Sequence, residues 1–123
     1  MVSRVIPVED FDLVIFGATG DLAHRKILPG LFKRYVAGQV PESAQIIGAA
    51  RTEQDDAAFR DMAAAAIAEF GGVARDDPQL KDFLRHLSYV AIDAQGEGGW
   101  SALKGKMRGG VVQAFYFSVA PAL

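Results

Sequence analysis

Cysteine is absent from the 123-residue chain, so neither a disulfide nor a thiolate metal site can form, and the composition suits a reducing compartment. Histidine occurs only as His24 and His86. They lie far apart without a carboxylate at ligand spacing, so no metal site is expected and each reads as a solvated or capping residue. An excess of basic charge is missing too: 13 Lys and Arg stand against 15 Asp and Glu, for a formal net charge of −2. That balance excludes a generic polyanion-binding surface, and nucleic acid is not an expected partner. No apolar run approaches the roughly 18 residues of a membrane span, and Met1–Asp10 lacks the apolar core of a signal peptide. A cytoplasmic location without membrane association is the expectation. What is present is a 50% apolar content, enough for one buried core.

The chain divides into an N-terminal arm, residues 1–10, and an α/β unit, residues 11–123. Phe11 to Phe16 starts a strand, and Leu22, Ile27, Leu28, Leu31, Phe32 and Tyr35 follow at helical spacing. Pro29 should kink or restart that helix, and Gly38 should close it. Ala44–Ala50 is a short apolar strand. Asp55 and Asp56 open a helix that carries Phe59, Met62, Ala63, Ala66, Ile67 and Phe70 and ends at Gly71-Gly72. A shorter helix over Pro78–His86, a strand over Leu87–Ile92, a weak helix over Trp100–Met107 and a strand over Val111–Val119 complete the order. Strands alternating with helices predict a partial Rossmann-type parallel sheet of about four strands with flanking helices. The second βαβ half of such a fold is not in the sequence, which suggests part of a longer protein, with the last apolar strand near a sheet edge. Its aromatic residues Phe115, Tyr116 and Phe117 read as core, alternate ones being able to line a crevice at the strand ends.

The strand, the turn Gly17-Ala18-Thr19-Gly20-Asp21-Leu22-Ala23 and the helix form a phosphate-binding candidate. The first amides of a helix lack partners and lie at the positive end of its dipole. The usual GxGxxG pattern is altered, because Thr19 holds the middle position. Gly17 can still make the tight turn, Gly20 can admit pyrophosphate, and Ala23 can permit close helix packing. A plain Gly-rich βα turn is the alternative. Arg51 ends the second strand where an NAD-binding fold carries an acid, and arginine there suits the 2′-phosphate of NADP. A solvated arginine is the competing reading, and Glu53 nearby slightly opposes the preference. Lys26 is a further weak candidate for phosphate.

GATGDLAHRKILPGLF resembles the GASGDLAxKKxxPxLW opening of glucose-6-phosphate dehydrogenases. Ile47-Gly48-Ala49-Ala50-Arg51 is similar to the family's IxGxAR, and Phe115 to Pro121 is similar to its FYLSVAP. The resemblance spans Phe11 to Pro121. It implies oxidation of D-glucose 6-phosphate to the phosphogluconolactone, with hydride passing to NADP+, in the pentose phosphate pathway. By position it implies that Gly17, Ala18, Thr19, Gly20, Asp21 and Leu22 hold pyrophosphate and that Arg51 holds the 2′-phosphate. Ile92 and Asp93 would lie near adenosine, and Tyr116 with Ala120-Pro121 near nicotinamide. The complete enzyme is expected to be a homo-oligomer. The family's EKPFG lysine and its histidine motif come later in such chains and are not in this sequence, so no catalytic residue is assigned and this chain alone is expected to be inactive. An epimerase or short-chain reductase relative, which shares GATG, and a non-catalytic NADP(H)-binding module completed in trans are the alternatives.

Overall fold

Leu13, Val14, Ile15 and Phe16 form a continuous apolar run, which suits a strand covered on both faces. In the computed structural model, which describes residues 10–92 and 99–117, this run is the centre of β1, Phe11–Phe16. Its neighbours are β2, Gln45–Ala50, and β4, Val112–Phe117, and β3, Leu87–Ala91, pairs with β2. The order is β3-β2-β1-β4 and every pairing is parallel. The expected partial Rossmann-type sheet is therefore found. Strand order reverses at β1, since the chain steps outward to β2 and β3 and then returns to the other side of β1.

Register puts alternate residues on opposite faces. Ile15, Ile46, Leu87 and Tyr89 pack with Leu28 and Phe32, with Phe59, Ala63 and Ile67, and with Leu80 and Phe83. These come from α1, Leu28–Val36, α2, Asp56–Gly71, and α3, Pro78–Leu84. On the other face Val14, Phe16, Ile47, Ala49, Val90 and Ile92 meet Leu103 of α4, Trp100–Lys106.

Pro29 acts upstream of itself. It occupies the first turn of α1, and residues Ala23–Ile27 ahead of it widen into a π-helical turn in which the Leu28 N–H reaches the Ala23 carbonyl. A regular helix would drive the Pro29 ring into the carbonyl four residues back, and the wide turn removes that clash. The helix thus restarts near Pro29, as expected. Its other end is a Schellman cap: Gly38 has φ 77°, its N–H bonds the Tyr35 carbonyl, and the Gln39 N–H bonds the Arg34 carbonyl. The Asp55 side chain caps α2 by accepting from the Ala58 N–H at 2.8 Å.

Two expectations need correction. Phe115 and Tyr116 are 49% and 44% exposed rather than core, because β4 is an edge strand and its outer flank has no neighbour among the described residues. His86 is half-buried rather than solvated: its Nδ1 lies 2.8 Å from the Ala44 carbonyl, and its ring packs against Tyr35 and Phe83. His24 is also half-buried, with Nε2 enclosed and without a hydrogen-bond partner among the described residues. No described helix is long and apolar enough to cross a membrane.

Candidate functional site

The turn after β1 is built by its own backbone. Gly17 has φ 78°, a left-handed conformation that costs any residue with a Cβ. The N–H groups of Gly17 and Ala18 both donate to the Ala49 carbonyl, at 2.8 and 3.3 Å, and the Gly20 N–H donates to the Gly17 carbonyl at 2.9 Å. These bonds fasten the turn to β2 and close it. The first intrahelical bond runs from the His24 N–H to the Gly20 carbonyl. The amides of Thr19, Asp21, Leu22 and Ala23 therefore have no backbone acceptor among the described residues. They sit at the positive end of the helix, at the carboxyl end of β1 where the strand order reverses, which is where open α/β sheets bind ligands.

Ala18 and Ala23 are fully buried, so the turn and the helix start lie tight against the sheet. Ala23 thus fills the packing role expected of the third fingerprint position. Leu22 is 43% exposed, and Thr19 and Gly20 are partly exposed. The Asp21 carboxylate pairs with Arg25 at 2.8 Å, and the Arg25 guanidinium lies 5.2 Å from the centre of the Phe70 ring. That pairing offsets a negative charge which would otherwise oppose an anion at the same helix end.

Arg51 follows β2 directly and is exposed, and among the described residues it makes no hydrogen bond or ion pair. It stands two residues after Ala49, whose carbonyl holds the turn. Turn and guanidinium thus share one end of the sheet. The flanks of Arg51 are fixed from β3: the Tyr89 hydroxyl lies 3.1 Å from the Ala50 carbonyl and 2.6 Å from the Thr52 carbonyl. The Tyr89 backbone N–H, on the outer edge of β3, donates to Asp56 Oδ1 at 2.8 Å. Burial pushes the Tyr89 phenol above its ordinary value, so it remains a protonated donor at neutral pH.

Ile92 reaches the same end of the sheet but is buried in the α4-side core, and its N–H donates to the Ala50 carbonyl at 2.7 Å. Tyr116 pairs with Ile15 in the β1–β4 register and is exposed beside the turn's strand. Asp93 and Ala120-Pro121 lie outside the described residues. Lys26 is exposed on the π-helical turn. No group of three metal-ligating side chains occurs among the described residues.

The opposite end of the sheet carries polar structure that the sequence reading did not detect. Asp12 is fully buried and is bound by Arg108 through its backbone N–H, Nε and an Nη, while Gln45 Nε2 donates to it at 3.1 Å. Arg108 also binds Asp10 and the Phe11 carbonyl. A charged residue inside the apolar run Phe11–Phe16 was the available signal, since a buried carboxylate requires a partner. A cleft of about 640 Å³ also opens at this end, with Tyr35, Arg60, Asp82, Arg85 and His86 among its lining residues. It is remote in the sheet from the Gly17 turn.

Comparison with known proteins agrees with this geometry. Residues 14–123 match the family model described as glucose-6-phosphate dehydrogenase, NAD binding domain. A glucose-6-phosphate 1-dehydrogenase of Rhizobium meliloti (strain 1021) is 41% identical over 126 residues, covering 100% of this chain and 26% of the relative. That of Gluconobacter oxydans (strain 621H) is 47% identical, covering 94% and 25%. The crystal structure of the Mycobacterium avium glucose-6-phosphate 1-dehydrogenase superposes with a TM-score of 0.80 at 30% identity, over 92% of this chain and 24% of that one. A glucose-6-phosphate dehydrogenase in complex with glucose-6-phosphate gives a TM-score of 0.79 at 28% identity, over 97% and 26%. The chain spans about a quarter of the length of these relatives. With a parallel sheet reversing at β1, a glycine turn opening a helix there and a family match over nearly its whole length, the chain belongs to the glucose-6-phosphate dehydrogenase family, in its NAD-binding domain.

Proposed function

We propose that this chain is the NADP-binding segment of a glucose-6-phosphate 1-dehydrogenase, and that the full-length protein oxidises D-glucose 6-phosphate to 6-phospho-D-glucono-1,5-lactone. The observation that carries the NADP assignment is that the helix-start amides of Thr19, Asp21 and Leu22 and the exposed Arg51, none with a hydrogen-bond partner among the described residues, stand at one end of the sheet. The residues present fit the cofactor. Amides of Thr19, Asp21 and Leu22 suit pyrophosphate oxygens, and the Gly17 conformation together with the small Ala18 and Gly20 lets backbone come close to it. Arg51 offers a guanidinium fork to a 2′-phosphate, and no acid of this chain occupies its position. By the resemblance, Tyr116 is assigned to the nicotinamide half of the cofactor and Ile92 with Asp93 to the adenosine half.

The bound nicotinamide supplies the hydride acceptor. The part of this chain is to bind and orient it, fixing the dinucleotide at the phosphate and ribose positions; no side chain here is assigned proton transfer. A general base and the sugar-phosphate site are attributed to sequence beyond the quarter represented here, and an isolated 123-residue chain is expected to show no turnover. A homo-oligomeric, cytoplasmic enzyme completes the reading.

The test is cofactor titration of the full-length protein, wild type against Arg51→Ala, with NADP+ and NAD+. NADP+ affinity is expected to fall by about tenfold or more while NAD+ affinity is retained, the loss of a charge-assisted phosphate contact being on the order of 1.5–3 kcal/mol. An unchanged ratio of the two affinities would remove Arg51 from the 2′-phosphate site.

A further inference from the structure

Tyr89 stands out because its one hydroxyl spans the residue to which the cofactor preference is ascribed. Arg51 is flanked by Ala50 and Thr52, and the carbonyls of both flanking residues lie within hydrogen-bond reach of the Tyr89 oxygen, at 3.1 and 2.6 Å. The two contacts bracket the Arg51 backbone on either side, while the Arg51 side chain stays exposed. From the geometry we infer that Tyr89 is a positioning residue for Arg51, and through it a determinant of the preference for a 2′-phosphorylated cofactor. The inference rests on the assignment of Arg51 to the 2′-phosphate.

The surroundings of Tyr89 make it a firm support. Its ring is 5% exposed and packs against Phe59 of α2 with centroids 5.3 Å apart. Phe59 in turn is fully buried against β2. The Tyr89 backbone N–H is held by Asp56, in the first turn of α2. The residues from Arg51 to Asp55 form the connection between β2 and α2, so both its ends and its second residue are tied to Tyr89 or to elements packed on it. An exposed arginine on an untethered connection would have to be ordered when phosphate binds, at an entropic cost that lowers affinity for the phosphate-bearing cofactor alone. The cofactor lacking that phosphate makes no demand on Arg51. Tethering should therefore favour NADP+ over NAD+ rather than strengthen both.

The Ala50 carbonyl also accepts from the Ile92 N–H at 2.7 Å, so removing the Tyr89 hydroxyl leaves that acceptor satisfied. Tyr89→Phe keeps the ring and is the informative variant. The experiment measures NADP+ and NAD+ dissociation constants of the full-length protein as wild type, Tyr89→Phe, Arg51→Ala and the double variant, with unfolding midpoints recorded for each. Tyr89→Phe is expected to weaken NADP+ by about three- to tenfold, the factor of one lost hydrogen bond, with NAD+ changed by less than about twofold. In the Arg51→Ala background the same change should have no further effect on the ratio, since two residues acting through one contact are not additive.

Should Arg51→Ala abolish the preference while Tyr89→Phe leaves it intact, or weakens both cofactors equally, the positioning role is overturned and the Arg51 assignment survives. Should Arg51→Ala leave the preference intact, the assignment itself falls and the inference with it. If Tyr89→Phe lowers the unfolding midpoint enough to obscure binding, Thr52→Gly loosens the same connection from its exposed side. It must produce the same selective loss of NADP+ affinity, and equal weakening of both cofactors overturns the inference.

Discussion

Asp12, fully buried on β1, is held by Arg108 through three donors: the backbone N–H at 2.6 Å, Nε at 2.9 Å and an Nη at 2.7 Å. This pair joins the central strand to the connection leading into β4. Removing the guanidinium leaves a carboxylate enclosed without its counter-charge, and removing the carboxylate frees the donors around it. For Asp12→Ala we expect a loss of about 3 kcal/mol, the lower end for a broken buried pair, because the Arg108 side chain is 32% exposed. Denaturant midpoints of the full-length protein provide the check. NADP+ affinity per folded molecule should be unchanged, since the pair and the Gly17 turn occupy opposite ends of the sheet.

Acid should weaken the same joint. Burial pushes the Asp12 carboxyl upward, but hydrogen bonds from the Arg108 backbone and side chain and from Gln45 outweigh it and hold the group below its ordinary value. Hydrogen bonds from Ser43 and then Arg108 lower Asp10 in the same direction. A depressed folded value means that the unfolded chain takes up the proton first. The stabilisation is therefore complete above the ordinary carboxylate value of about 3.9 and is lost as pH falls below it toward the folded value. Unfolding free energies measured from pH 6 downward should fall less steeply below about pH 4 in Asp12→Asn than in the wild type. Parallel curves would show that the pair does not contribute.

Much of this arrangement was legible in the residues. Apolar runs without alternation indicated a sheet covered on both faces, and the Gly17 to Ala23 spacing located the turn. Pro29 announced a break, although its physical form, a π-helical turn placed before the proline, depends on how the chain relieves the ring's clash with an upstream carbonyl. The exposure of Phe115 and Tyr116 was not legible, because β propensity reports how well a residue suits a pleated surface and is silent on what lies beside the strand. The Tyr89 contacts were equally hidden. They link residues 37 and 39 positions apart, and their direction is set by the β2–β3 register. The clasp of Asp12 by Arg108 spans 96 positions, and only the oddity of a charge in an apolar strand hinted at it.

Gly48 explains why a glycine sits within β2. A Cβ built there meets the Cζ, Cε1 and Cε2 atoms of Phe59, so α2 approaches the sheet through the space the missing side chain leaves. Gly48→Ala should destabilise the protein by about 1–3 kcal/mol through overpacking. Phe59→Leu in the same chain should recover part of that loss, giving a coupling energy between the two changes in a double-mutant cycle of unfolding. Simple additivity would mean that the contact does not set the helix–sheet distance.

Gly17 supplies the sharper test of the turn. Its φ of 78° lies where a β-branched side chain is strained, and its N–H must still reach the Ala49 carbonyl at 2.8 Å. Gly17→Val can relieve the strain only by rotating the backbone, which tilts the following amides away from their present direction. The destabilisation expected is on the order of 1–2 kcal/mol, whereas affinity should fall by a similar factor for NADP+ and NAD+, since both carry the pyrophosphate. That pattern separates the turn from Arg51, whose loss should affect the phosphorylated cofactor alone. If Gly17→Val instead changed the preference between the cofactors while leaving NAD+ binding intact, the pyrophosphate would have to be placed elsewhere on the sheet.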